Sequence, residues 1–451
     1  MHKVAVIGSG PGSFYAADHL LATGNFQVDM FEKEYVPFGL VRFGVAPDHM
    51  NIRMVSKAFK KMGSHENLRY FGGVEIGKDI EYSDLSERYD AIILGHGAHN
   101  GKQLEIPGED LEGCHDAISI AGWYNAHPDF EDYKLNLDAK ACVVIGHGNV
   151  AVDISRVLCS SYDEMAKTDI STHALEQLKD NHIKRVDMIG RRGVAQLSFT
   201  IKEALELGKM EVADLVAFKE ELIMDEEDKA SLEDPHNRYR TRIIDMLKEA
   251  ANAEYHKDRK LAVRFLWSPV KITGKKQVEG IVLERNQLVT KDGKRTIEAT
   301  GETIEIPCDM VVRAIGHYGQ SISKELPFDP IKGIYPNIDG RLVQSNGDTL
   351  AGLYAVGWIK RGPSGTIGLN RPDSIGVANL IIEDAEKGKL NKRQKNDDIT
   401  TVLDTAGVHY VNFEETISVE EGEIEAAEDD TRKRIPFTKR EHQLSYIKSK
   451  R

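Results

Sequence analysis

Twice in this chain an apolar strand runs straight into a glycine-rich turn and then into a helix. Residues 3–7 lead into Gly8-Ser9-Gly10-Pro11-Gly12-Ser13 and an apolar-periodic stretch over 14–21; residues 141–145 lead into Gly146-His147-Gly148-Asn149-Val150-Ala151 and a helix through 158. Strand, glycine turn and helix in immediate succession read as the start of a βαβ unit with a buried parallel strand. In each turn the first glycine permits the tight bend and the second lets backbone approach a pyrophosphate. The helix N-terminus then directs unpaired N–H groups and partial positive charge at that anion. The first turn departs from the usual pattern at Ser13, where glycine or alanine is the norm.

The strands that follow distinguish the two sites. The strand over 27–31 ends in Glu32, placed to accept hydrogen bonds from a ribose diol and to repel a 2′-phosphate, so this half is expected to hold FAD or NAD. The strand over 185–189 closes with Gly190-Arg191-Arg192-Gly193, two guanidinium groups at the equivalent place, which favours NADP(H) over NAD(H). The expected class is therefore α/β, with two Rossmann-like dinucleotide-binding domains. The competing readings are an ordinary βα turn at the first site and a solvated basic turn at the second. An insertion over 160–182 carries a helical pattern at 170–178 and no readable site.

At 451 residues the chain suits two domains better than one core. A composition 41% apolar and 29% charged is that of an ordinary globular protein, with no apolar run long enough to span a bilayer. The first strand begins within three residues of Met1, leaving no room for a signal or transit peptide, so a cytoplasmic chain is expected. A net charge of −13 argues against a nucleic-acid binder but leaves room for a local basic patch. Cys114, Cys142, Cys159 and Cys308 are scattered and form no Cys-x-x-Cys; they read as core residues, and no metal centre is expected.

Beyond these general features, the run from Phe31 through Pro37-Phe38-Gly39-Leu40-Val41-Arg42-Phe43-Gly44 to His49 closely resembles the adrenodoxin reductase family of NADPH–ferredoxin reductases. So do Ile106-Pro107-Gly108-Glu109, Gly122-Trp123-Tyr124-Asn125, Gly190-Arg191-Arg192-Gly193, Phe199-Thr200-Ile201-Lys202-Glu203 and the stretch from Gly357-Trp358 to Gly368. The similarity covers nearly the whole chain. It implies a glutathione reductase-like arrangement, with an NADP-binding domain (104–325) inserted into an FAD-binding domain built from 1–103 and 326–451. Carried over residue by residue, it implies contacts to FAD from Gly8, Gly10, Gly12, Glu32, Leu40, Ile76, Trp358, Gly365, Thr366 and Ile367. For NADP(H) it implies Gly146, His147, Gly148, Asn149, Arg191, Arg192, Glu203 and Gly365. Where disulfide reductases usually continue Gly-Asp, this chain has Gly357-Trp358, consistent with the missing Cys-x-x-Cys: electrons leave without a thiol relay.

The implied activity is hydride transfer from NADPH to FAD and release of single electrons to a ferredoxin or adrenodoxin-like iron–sulfur protein, with the chain mainly positioning the cofactors. His49 and Asp153 match positions that the family places near the flavin, a proton relay by that reading. The competing reading makes His49 a stabiliser of the Pro47-Asp48 turn and Asp153 an ordinary acid of a helix's first turn. Arg238, Arg240 and Arg242, opening an amphipathic segment over 243–251, match a basic cluster that faces the acidic partner; a solvated helix face is the alternative. Rival readings are a reductase subunit of a larger complex, disfavoured by the absence of cysteine-rich cluster segments, a flavin monooxygenase, and a non-catalytic FAD/NADPH redox sensor. The end of the chain is charge-segregated, acidic over 414–430 and basic over 432–451, and reads as a solvated tail with a closing helix.

Overall fold

The computed structural model describes residues 1–365, 367–427 and 430–451. They form two compact units: Met1–Asn100, Asn125–Glu131 and His317–Arg451 make the first, Gly101–Tyr124 and Asp132–Gly316 the second. No helix among the described residues is long and apolar enough to cross a membrane.

The first unit starts with β1 (His2–Ile7), α1 (Pro11–Leu21), β2 (Phe26–Glu32), the short helices α2 (Leu40–Phe43) and α3 (Met50–Arg53), β3 (Leu68–Gly72) and β4 (Ala91–Leu94). In the second unit follow β5 (Cys114–Asp116), α4 (Ala117–Tyr124), β6 (Ala141–Ile145), α5 (Asn149–Cys159), β7 (Arg185–Gly190), α6 (Ile201–Leu207), β8 (Ala213–Ala217) and α7 (Arg238–Ala250). It ends with β9 (Arg259–Phe265), β10 (Trp267–Thr273), β11 (Gly280–Lys291), β12 (Lys294–Pro307) and β13 (Met310–Arg313). The chain then completes the first unit with β14 (Asn337–Ile338), β15 (Arg341–Val343), β16 (Thr349–Ala355), α8 (Trp358–Arg361), α9 (Asn370–Glu386), α10 (Phe413–Glu425) and α11 (Arg440–Lys450).

The first unit's sheet has the order β14-β15-β16-β4-β1-β2-β3, parallel from β16 to β3. Such strands are covered on both faces and so read as continuous apolar runs. Val4 and Val6 pack with Phe14 and Leu20 on one face, Ala5 and Ile7 with Phe31 and Ile92 on the other. The second unit's sheet, β5-β13-β6-β7-β9-β8, is parallel throughout, and β10-β11-β12 form a separate antiparallel sheet. In both parallel sheets the strand before a glycine turn is flanked on one side by the next strand and on the other by a much later one. That reversal opens a crevice at the carboxyl ends, where α/β sheets bind ligands.

The unit boundaries differ from those expected at 103 and 326. Residues 317–325 pack with the first unit: Gly319 N donates to Gly333 O at 2.9 Å, and the Ile322 carbonyl leaves no room for a side chain at Gly77. Asn125–Glu131 also returns to the first unit, where Asn125 accepts a hydrogen bond from Arg53 and the His127 ring lies 4.6 Å from Phe43.

The charge-segregated end is no solvated tail. Acidic α10 and basic α11 pair with each other through Arg451 to Glu415 at 2.5 Å and Lys450 to Glu425 at 3.4 Å. Glu423, fully buried, binds Arg42 of α2, and Phe437 N donates to it at 2.8 Å. Cys142, Cys159 and Cys308 are buried as expected, whereas Cys114 is half-exposed.

Candidate functional site

At the end of β1, Gly8 has φ +92°, and its N–H donates to Phe31 O at 2.7 Å. A Cβ there would come 2.6 Å from His96 Cα, so both conformation and space require glycine. Over Gly10 the space is open: a Cβ would meet nothing within 4 Å. Helix α1 starts at Pro11, which gives up only an N–H that would be orphaned anyway, and the unpaired donors of its first turn open onto that space. Ser13, the departure from the glycine pattern, is buried and reaches the Gly95 carbonyl at 3.4 Å, so serine fits.

Three distant segments close on this turn. Phe38 N donates to Ser9 O at 3.1 Å, which brings Gly39 against Gly10 and sets Leu40 at the start of α2. The Gly357 backbone lies 3.4 Å from where a Cβ on Gly12 would sit, placing Trp358 at the start of α8 with its ring stacked on His317 at 5.6 Å. Ser374 of α9 lies beside Gly12 too, its hydroxyl buried without a hydrogen-bond partner among the described residues. His96 Nε2 is buried and unpartnered in the same way; burial lowers the ring's pKa to about 3, so it is neutral. Open space above a helix N-terminus, with two orphaned polar atoms beside it, fits a dinucleotide pyrophosphate and its neighbouring polar groups.

Glu32 ends β2 with Oε2 accepting from Ser9 N at 2.9 Å and Ser9 Oγ at 2.7 Å. Burial raises its pKa, against the lowering effect of the Ser9 hydrogen bonds. The carboxylate oxygens keep lone pairs for a ribose hydroxyl. Ile76 is buried in the core. Gly365 is exposed and precedes the 3-10 turn Ile367–Leu369; Thr366 lies outside the described residues. His49, 4% exposed, sits at the N-cap of α3.

The second turn repeats the first. Gly146 has φ +137°, donates to Ile189 O at 2.9 Å, and would put a Cβ 2.2 Å from Ala314 O, while the space over Gly148 is open. The His147 ring packs inward, 4.8 Å from the Phe265 ring and over Gly190, with Nε2 3.3 Å from Met188 O; burial lowers its pKa to about 4. That residue can offer a ligand only its backbone. Ser198 Oγ donates to His147 O at 2.5 Å, Thr200 N to Asn149 Oδ1 at 3.1 Å, and the Thr200 hydroxyl to Glu203. Glu203, itself buried, therefore reaches the turn through Thr200.

Arg191 and Arg192, just past β7, are exposed, and neither makes an ion pair among the described residues. Asp153 is not in the first turn of its helix, as the sequence suggested; it is the fifth residue of α5, 3.2 Å from Arg156. His49 belongs to the first unit and Asp153 to the second. Arg238 and Arg242 stand exposed on α7, whereas Arg240 is half-buried and donates to Ala195 O at 3.0 Å, which gives it a structural use.

Sequence reasoning passed over His96, Ser374 and Ser198. For His96 a signal existed: residues 91–94 form an apolar strand running into Gly95-His96-Gly97, a third glycine turn. Ser374 carries no local signal, being a helical serine whose neighbour is set by the packing of α9 on α1.

Comparison with known proteins adds an independent line. The family model described as pyridine nucleotide-disulphide oxidoreductase matches residues 2–363. NADPH-ferredoxin reductase FprA of Mycobacterium tuberculosis is 42% identical over 398 residues, 86% of this chain and 85% of that protein. The mitochondrial NADPH:adrenodoxin oxidoreductase of Bos taurus is 34% identical over 440 residues, 94% of this chain and 87% of that one. A solved structure of Mycobacterium tuberculosis FprA in complex with NADPH matches with a TM-score of 0.91 at 38% identity, covering 99% of both chains.

Proposed function

Since the chain belongs to the NADPH-ferredoxin and adrenodoxin reductases within the pyridine nucleotide-disulphide oxidoreductase family, we propose that it takes electrons from NADPH through a bound FAD and passes them singly to a ferredoxin-type iron–sulfur protein. The observation that carries this reading is the contrast between two otherwise equivalent turns. The strand after the first ends in a carboxylate bound to its own turn, and the strand after the second ends in two exposed guanidinium groups without carboxylate partners among the described residues. FAD supplies the conversion between a two-electron donor and a one-electron acceptor.

The chain's own residues bind and orient. The donors at the start of α1 would hold the FAD pyrophosphate at the Gly8–Gly12 turn, and Glu32 would take the ribose. By the resemblance, Leu40, Ile76, Trp358, Gly365 and Ile367 would lie toward the flavin end; Thr366, carried over with them, lies outside the described residues. Gly146, Gly148, Asn149 and the backbone of His147 receive the NADPH pyrophosphate, Arg191 and Arg192 the 2′-phosphate by charge-assisted hydrogen bonds, and Glu203 supports that turn through Thr200. By the resemblance, His49 and Asp153 would each be candidates to move the proton that accompanies reduction; Asp153→Asn is expected to change the pH dependence of hydride transfer, and an unchanged profile removes that role. Exposed Arg238 and Arg242 meet the acidic partner. A cytoplasmic location belongs to the same proposal, supported by four free cysteines that suit a reducing compartment; cell fractionation tests it.

The deciding experiment is anaerobic stopped-flow mixing with NADPH and, separately, NADH, followed by addition of a two-iron ferredoxin. Rapid flavin bleaching by NADPH in preference to NADH, then reoxidation by ferredoxin, is the expected result. Bleaching without ferredoxin turnover points to another acceptor, and absence of bleaching to a non-catalytic sensor.

A further inference from the structure

The Arg191–Arg192 turn is held from behind by the separate antiparallel sheet, and one buried amide joins the two. Arg191 O accepts from Asn286 Nδ2 at 2.9 Å, and Arg192 O accepts from Leu266 N at 3.1 Å. Leu266 in turn accepts from Asn286 N at 2.8 Å, and Asn286 Nδ2 lies 2.8 Å from Ser268 Oγ. Both arginine carbonyls thus belong to one closed set of hydrogen bonds centred on a residue 4% exposed.

The local backbone is irregular in ways that serve this contact. The β11–β12 register shifts between Glu284 and Asn286, the kind of bulge that re-aims a side chain. Leu266 has φ +63°, a left-handed conformation that leucine rarely adopts, and its N–H points at Arg192 O as a result. Two residues beyond Asn286, on the same strand face, Leu288 fills the space beside Gly193: a Cβ there would come 2.8 Å from Leu288 Cδ1. On the other face Arg285 lies over the Trp267 ring at 5.0 Å and 3.8 Å from Glu221. Glu221, 1% exposed, also takes Arg264 at 2.9 Å and Trp267 Nε1 at 2.7 Å. The strand cannot easily slide away from the turn it supports.

We propose that Asn286 is a positioning residue that sets the preference for a 2′-phosphorylated nucleotide by fixing the backbone from which Arg191 and Arg192 project. This rests on the reading that those arginines hold the 2′-phosphate. A long cationic side chain loses rotamer freedom when it grips a phosphate, and a mobile backbone beneath it adds to that cost. The part of the dinucleotide common to NAD and NADP sits at the Gly146 turn, which Asn286 does not touch. Specificity is a difference between two affinities, so loosening only the arginine turn lowers one of them.

The test uses the FAD-loaded full chain with Asn286→Ala and, as a shape-conserving variant without donors, Asn286→Leu. Binding of NADP⁺, NAD⁺, 2′,5′-ADP and 5′-ADP is measured by titration calorimetry, beside the thermal midpoint and flavin spectrum. Both variants are expected to weaken NADP⁺ and 2′,5′-ADP about tenfold, the scale of one positioning hydrogen bond, and to leave NAD⁺ and 5′-ADP within about twofold. Unchanged affinity for 2′,5′-ADP overturns the proposal, as does an equal loss for all four ligands, which marks a purely structural residue. Arg191→Ala with Arg192→Ala separates the two levels. If wild type does not prefer 2′,5′-ADP, or removing both arginines costs nothing, the reading of the arginines has failed; if the arginines matter and Asn286 does not, only the positioning role has.

Discussion

Gly8 and Gly10 stand two residues apart in one motif, yet their environments predict opposite failures. Gly8→Ala places a Cβ 2.6 Å from backbone at a positive φ, so it is expected to destabilise the fold by about 1–3 kcal/mol from conformation alone, with the clash added. Gly10→Ala meets nothing within 4 Å and is expected to leave the fold intact while removing bound flavin, because the methyl would occupy the space proposed above for the pyrophosphate. Thermal melts and flavin absorbance on both variants check the pair. The buried histidines give a second prediction at this scale. His96 and His147 have pKa values lowered by burial to about 3 and about 4, below the 6.5 of an exposed ring. The unfolded chain therefore binds more protons below pH 6.5, and the stability these rings contribute is full above that pH and is lost as pH falls toward 4 for His147 and toward 3 for His96. His147→Gln should flatten that acid-side loss in chemical denaturation measured from pH 7 to 4.5; an unchanged slope sinks the assignment. Residues of this kind divide cleanly by legibility. The glycine turns, the place of Glu32 at a strand end and the arginine pair after β7 could be read because each lies within a strand–turn–helix of a few residues. Asn286 and Ser374 could not, since the carbonyl that the amide binds lies 95 residues away and the glycine beside the hydroxyl lies across a helix pair.

Helices α10 and α11 looked like a solvated tail because their charges are segregated along the chain, and segregation resembles the composition of disordered segments. In the fold the two blocks face each other, and their exposed pairs sit around a buried one. Glu423→Ala leaves Arg42 without its carboxylate in a buried setting and is expected to cost about 3–5 kcal/mol. Arg451→Ala, which removes an exposed partner of Glu415, should stay within about 0.5 kcal/mol. Because Arg42 belongs to α2, whose first residue Leu40 follows the Gly39 contact on the glycine turn, Glu423→Ala should also release flavin faster on dilution, measured by recovery of flavin fluorescence. The acidic and basic runs were visible in the sequence; that they were each other's partners depended on a helix hairpin that periodicity does not encode.

For the molecule as a whole, a net charge of −13 opposes an acidic partner at long range, while Arg238 and Arg242, in the docking role proposed above, would attract it at short range. The two terms give salt effects of opposite sign. If the local arginines dominate, the apparent Michaelis constant for ferredoxin rises with ionic strength, and Arg238→Glu with Arg242→Glu raises it further and reverses the trend. Reduction of a small neutral dye should not respond to either change. Two units and their sheet type were legible from the doubled motif, but the chain's crossings were not, because the segment Asn125–Glu131 has no composition that separates it from its surroundings. That short return matters for inheritance. A nucleotide-binding unit enclosed by two crossings can be exchanged between relatives as a cassette, but lifting out 101–316 here would also carry off the ring against Phe43 and the Asp129 partner of Arg440, 2.6 Å apart. The host unit would be left with a hole in its own wall, so a clean exchange would have to leave Asn125–Glu131 behind.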